Sequence, residues 1–148
     1  MENAAWEFQH SVECEAAKSF VWSFWTDVSN WERLEGKAVE WIKINGPFVA
    51  GTTGETKMPE QPPQPWTITQ LEPESSARIE MPVPGAIFVN EMHMEALAPE
   101  RTQITQRLSL VGEKAKDLAG AMGMFETSAP QGLAKLTRVI EAANNSTS

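Results

Sequence analysis

Tyrosine is missing altogether from this chain of 148 residues, cysteine occurs once, as Cys14, and histidine twice, as His10 and His93. Without tyrosine there is no phenol to protonate an enolate or to orient a carbonyl. A lone cysteine excludes an intramolecular disulfide and any multi-cysteine zinc site, and Cys14, at a strand-to-helix junction, reads as a packed small residue. Positive charge is scarce as well: 12 lysines and arginines stand against 20 acids, for a formal net charge of −8. That balance opposes nucleic acid and anionic membrane as partners, because counterion release needs a basic face. No apolar run approaches the ~20 residues of a membrane span. Met1 to Trp6 carries neither a basic stretch nor an apolar signal core, so the cytoplasm is the expected location. Gly-x-Ser-x-Gly elbows, phosphate-binding glycine loops and His-Glu-x-x-His are all missing, and Gly120-Ala121-Met122-Gly123 lacks the strand-turn-helix setting of a dinucleotide fingerprint. No cofactor and no metal is implied.

What remains is an ordinary globular composition, 41% hydrophobic and 22% charged, of single-domain size. Residues 1–143 read as one domain and Asn144–Ser148 as a polar, disordered tail. Trp6 to Glu13 alternates apolar and polar residues at period two, which predicts a strand. From Ala16 the period becomes helical through Phe20, Val21, Phe24 and Trp25, and Asn30–Leu34 predicts a second, shorter helix. Val39–Ile44, Thr52–Met58, Trp66–Leu71, Ala77–Val83, Ala86–Leu97 and Arg101–Val111 follow as strands of an antiparallel meander. Pro59–Pro65 is too rich in proline for a ladder and reads as an exposed loop. Leu118, Met122, Phe125, Ala129, Leu133, Leu136 and Ile140 keep one helical phase past Pro130, predicting a long helix bent near Thr127 or Ser128.

Several segments resemble the polyketide cyclase/dehydrase branch of the START and Bet v 1-like (SRPBCC) superfamily. Ala17-Lys18-Ser19-Phe20-Val21-Trp22 with Thr26-Asp27 is similar to that family's first helix, without the proline usual near its start. Gly46 to Gly54 resembles its second-to-third strand turn, and Leu71-Glu72-Pro73, Pro84-Gly85-Ala86 and Thr102 to Gln106 match later positions. The resemblance spans nearly the whole chain. It implies the α+β helix-grip fold: an antiparallel curved sheet of about seven strands around a long carboxy-terminal helix, two short helices after the first strand, and a hydrophobic ligand cavity between sheet and helix. It implies no particular reaction, since one fold hosts binders, carriers and enzymes.

Strand alternation then says which side chains face such a cavity. Phe88, Asn90, Met92, Met94 and Ala96 share the inward face, with Glu91, His93 and Glu95 outside. Ile104, Gln106, Leu108 and Leu110 point inward from the next strand. Asn90 and Gln106 are therefore amides on apolar faces, each of which either belongs to an internal network or addresses a ligand or water. His10 points inward with Trp6, Phe8 and Val12. It is the candidate acid or base if there is catalysis, and otherwise a core histidine. His93, beside two glutamates, reads as part of an exposed charge cluster.

Met81, Met92, Met94, Met122 and Met124, with Phe88 and Phe125, lie on elements that flank the proposed cavity, where thioethers and aromatic rings either suit an irregular apolar pocket or simply pack a core. Trp31 and Trp66 are candidates for its rim, with the proline-rich loop as a semi-rigid flap. Trp41 faces outward beside Lys43, as a subunit contact would, which makes a homodimer an expectation. The leading functional reading is the binding of a small lipophilic or aromatic molecule. A cyclase- or dehydratase-type enzyme acting in the same cavity is the alternative, and a partner-binding module with a filled core is a third.

Overall fold

The computed structural model describes residues 4–35 and 39–146. Its first strand, β1 (Trp6–Cys14), is followed by α1 (Lys18–Trp25) and α2 (Ser29–Glu35). Six strands come next: β2 (Trp41–Ile44), β3 (Thr53–Lys57), β4 (Gln64–Glu72), β5 (Ser76–Val83), β6 (Ala86–Ala98) and β7 (Arg101–Val111). The seven strands form one antiparallel sheet in the order β1-β7-β6-β5-β4-β3-β2, so that β1 and β2 are its two edges. Register slips between Ile68 and Gln70 on β4 and between Ala96 and Ala98 on β6 add local bend to the long strands. This is the helix-grip architecture expected from the element order.

The two short helices turn the chain through local side-chain bonds. The Thr26 hydroxyl donates to the Trp22 carbonyl at 2.8 Å as α1 ends, and the Asp27 carboxylate accepts from the Ser29 amide and hydroxyl where α2 begins. Buried Asn30 reaches back to the Phe24 carbonyl at 2.9 Å, holding α2 against α1.

The helical end departs from the expectation in two ways. A short α3 (Ala115–Leu118) leads into a 3₁₀ segment, Ala119–Met124, and then α4 (Phe125–Ser146). The break in α geometry therefore precedes Pro130, around Gly120 and Gly123, whose intrinsic helix propensity is about 1 kcal/mol poorer than alanine. Proline lies within the continuous α4, whose phase is set by buried Leu133, Leu136 and Ile140. That helix also runs through Asn144 and Asn145 to Ser146, three of the five residues read as a tail; residues 147 and 148 lie outside the described residues. Among the described residues, no helix is long and apolar enough to cross a membrane.

The α4 stripe packs on Ile68, Ile79, Met92, Met94 and Ile104 of the sheet. Edge strand β1 is tied to the same helix at both ends: Trp6 Nε1 donates to Glu126 at 3.0 Å and the Glu15 amide to Glu141 at 2.8 Å. The outer face carries a ladder of charges across four strands, Glu7–Arg107–Glu91–Arg78–Glu80. His93 and Glu95 are exposed on that face. Trp41 also lies on the outer side of its strand, half-buried, with the Lys43 ammonium 5.4 Å from its ring centre.

Candidate functional site

Between the sheet and α4 lies a cavity of about 470 Å³. That volume is in the range of small-molecule sites. One wall is aromatic. Trp31 stacks at a tilt on Trp25 (5.8 Å between ring centres) and on Trp66 (5.4 Å), while Phe48 meets Trp25 and Trp31 edge-on from behind. Two indoles of this wall have their N–H engaged: Trp31 Nε1 donates to the Trp25 carbonyl at 2.6 Å, and Trp66 Nε1 to the Thr56 hydroxyl at 3.1 Å. Trp66 pairs across the strands with Gly54, over which its ring lies; a side chain at Gly54 would occupy the space of the indole.

At the sheet floor three polar side chains from adjacent strands meet. His10 and Gln106 are direct cross-strand partners, and His10 Nε2 lies 2.8 Å from Gln106 Oε1. An amide oxygen only accepts, so the imidazole carries its proton on Nε2 and donates. Gln106 Nε2 in turn donates to Asn90 Oδ1 at 3.2 Å. Hydrogen bonding thus runs in one direction from His10 to Asn90, leaving the Asn90 amide N–H groups as the donors at the chain's end. Asn90 and Gln106 line the cavity. His10 stands behind them, stacked on Phe8 at 5.3 Å between ring centres.

Exposed lining residues mark the mouth: Met58 at the end of β3, and Ser128, Gly132 and Lys135 on α4. Lys135 Nζ donates to the Leu34 carbonyl at 2.7 Å, joining α4 to the end of α2 across this opening.

Of the ten side chains put forward from the sequence, the structure brings eight onto the cavity wall: Trp31, Trp66, Met81, Phe88, Asn90, Met92, Gln106 and Phe125. Met94 does not reach it, because it is buried in the core further along β6. Met122 does not either; the 3₁₀ geometry turns it into a separate apolar cluster with Trp6, Leu118 and Leu110. Trp66, at 3% exposure, is an inner wall and not a rim. The proline-rich loop contributes no lining residue, and β4 begins within it at Gln64. Pro65 is tolerated there because β5 pairing starts only at Thr67, so its missing N–H breaks no β4–β5 bond. Trp25, Ile79, Gly132, Lys135 and Leu136 were not singled out. Ile79 shares the period-two face of Met81, and Leu136 the helical phase of Phe125, so both were within reach of pattern; Gly132 and Lys135 flank that stripe and carry no pattern of their own.

Cys14 is fully buried, with its Sγ 4.0 Å from the Thr137 carbonyl. Burial first, then the negative charges of Glu141 and Glu15, push its thiol up to about 12. A thiol so held is a packing group and not a nucleophile.

Residues 5–141 match the family described as polyketide cyclase / dehydrase and lipid transport. No curated protein matches the sequence. Among solved structures, norcoclaurine synthase from Thalictrum flavum, in complex with dopamine and hydroxybenzaldehyde, is similar with a TM-score of 0.72 at 13% identity, over 94% of this chain and 87% of that one. The Zhui aromatase/cyclase from Streptomyces sp. R1128 is similar with a TM-score of 0.70 at 16% identity, over 92% and 93% of the two chains. A hypothetical protein from Helicobacter pylori gives 0.71 at 17% identity, over 92% and 88%. At these identities the likeness establishes the fold.

Proposed function

Because the chain belongs to the polyketide cyclase / dehydrase and lipid transport family, we propose that it binds a small lipophilic or aromatic molecule in the cavity between sheet and α4. The observation that carries this reading is the wall itself: Trp25, Trp31 and Trp66 present apolar ring faces, the N–H groups of Trp31 and Trp66 being already engaged, and the amides of Asn90 and Gln106 supply the few polar contacts that orient a ligand. Native mass spectrometry of protein purified from its own host is the direct test. A retained small molecule that is lost on denaturation is the expected result; a chain that leaves its host empty and also fails to bind the uncharged fluorescent probe N-phenyl-1-naphthylamine would overturn the reading.

A cyclase- or dehydratase-type activity on a polyketide-like or aromatic substrate is the second reading, and the His10–Gln106–Asn90 chain favours it. Its donor end would hold a substrate carbonyl oxygen as negative charge develops there. His10 would act through Gln106, as a positioning residue. In an assay with an aromatic polyketone, Asn90→Ala is then expected to lower kcat more than it raises KM, whereas equal loss through KM alone would leave Asn90 a binding group.

We further propose a cytoplasmic location and a homodimer paired through the outer side of β2, where Trp41 lies half-buried beside Lys43. Sedimentation is expected to give a dimer that Trp41→Ala dissociates; a monomer in both chains would remove the contact.

A further inference from the structure

Five of the cations, Lys43, Lys57, Arg78, Arg101 and Arg107, each sit against a glutamate. A groove between the α1–α2 pair and α4 is different. Phe24, Val139, Ala142 and Ala143 form its apolar surface, Arg33, Lys135 and Arg138 are its charged residues, and among the described residues no acid lines it. Among the described residues Arg33 bonds only to the neutral Asn30 side chain, at 3.0 Å, and Lys135 only to the Leu34 carbonyl. Three like charges are thus gathered, with no carboxylate beside them among the described residues, on a chain whose net charge is −8. An anion seated among them would relieve their mutual repulsion, most strongly at low ionic strength.

The groove adjoins the cavity. Lys135 lines both, and the end of α2 is shared between them, with Leu34 in the cavity wall and Arg33 in the groove. Its ammonium spends one of three N–H donors on Leu34 and keeps two for a ligand leaving the mouth. We propose that cavity and groove form one site for an anionic amphiphile, whose apolar body fills the cavity and whose carboxylate or phosphate head lies on Lys135, Arg138 and Arg33. This deepens the ligand-binding reading and rests on it.

The test is competition against N-phenyl-1-naphthylamine with two matched chains, dodecanoate and dodecanol, at low ionic strength and a pH at which the acid is ionised. Dodecanoate is expected to displace the probe about tenfold more tightly than dodecanol, an advantage that high salt removes. In the double variant Arg33→Gln/Arg138→Gln that advantage is expected to fall to about twofold, with probe and dodecanol affinities unchanged. Equal affinities of the two chains in the parent protein would overturn the proposal while leaving the cavity reading intact. So would an advantage that survives the double variant but disappears in Asn90→Asp, which would put the head on the cavity floor. Displacement by acetate alone would reduce the groove to a site for any small anion and also overturn it. Failure of the probe itself to bind would bring down the cavity reading and this one together.

Discussion

Gly54 and Trp66 show how one absent side chain shapes the site. A Cβ at Gly54 would lie 2.2 Å from Trp66 Cζ2, well inside any real contact, and the neighbour is a rigid ring held by its bond to Thr56. Gly54→Ala is therefore expected to cost about 2–3 kcal/mol of stability, as overpacking does, and to tilt the indole into the cavity. Chemical denaturation and a probe titration on this variant measure both effects; an unperturbed cavity would mean that the strand, not the ring, moves. Cys14 gives a second expectation at this scale. The fold holds its thiol proton to about 12 where the ordinary value is 9.0, so the unfolded chain releases that proton first. The linked stability is whole below the lower value and is lost as pH rises through the interval. Cys14→Ala is expected to blunt the alkaline loss of stability, which is readable here without any tyrosine titrating alongside. Alternation alone put His10, Gln106 and Asn90 on inward faces. Their union into one directed chain depends on register, His10 opposite Gln106, and no single strand contains that information.

At the scale of elements, α4 is both the lid of the core and the rim of the site, and Gly132 separates the two roles. It lines the cavity, and a Cβ built on it meets nothing within 4 Å. Gly132→Leu should thus raise helix propensity, by up to about 1 kcal/mol, while its side chain narrows the mouth. A higher Tm with weaker probe binding is the expected pair of results, and unchanged binding would move the entrance away from this turn of the helix. The helical phase of Leu133, Leu136 and Ile140 was plain in the sequence because burial imposes it. Where the helix begins was not: periodicity runs through Gly120 and Gly123 as if they were alanines, and only backbone propensity distinguishes the 3₁₀ turn that carries Met122 off the site. The strand order from β2 to β7 was legible for a related reason, since short turns leave adjacent antiparallel pairing as the simple solution, whereas the pairing of β1 with β7 joins strands nearly the whole chain apart and has no local signal.

For the whole molecule, the cavity wall draws on α1, α2, β2 to β7 and α4, leaving β1 outside it. A ligand in that position binds the assembled fold and nothing less, so its binding energy is added to global stability. At a concentration one hundred times its Kd this amounts to about 2.7 kcal/mol, which for a chain of this size corresponds to a rise of about 5–10 °C in Tm. β1 makes the sharper test, because it lines no part of the cavity and reaches it through the His10–Gln106 bond, the contacts of Trp6 with Phe88 and Phe125, and its ties to α4 at Glu126 and Glu141. If the protein opens as one cooperative unit, ligand should slow hydrogen exchange at the β1 amides as much as at those of β6, although no β1 side chain meets the ligand. Hydrogen exchange with and without N-phenyl-1-naphthylamine makes that comparison. Protection confined to β3 to β7 and α4, with β1 exchanging at its unliganded rate, would show instead that the edge strand frays independently, and that its hold on α4 and on the His10 end of the floor is not what keeps the cavity in shape.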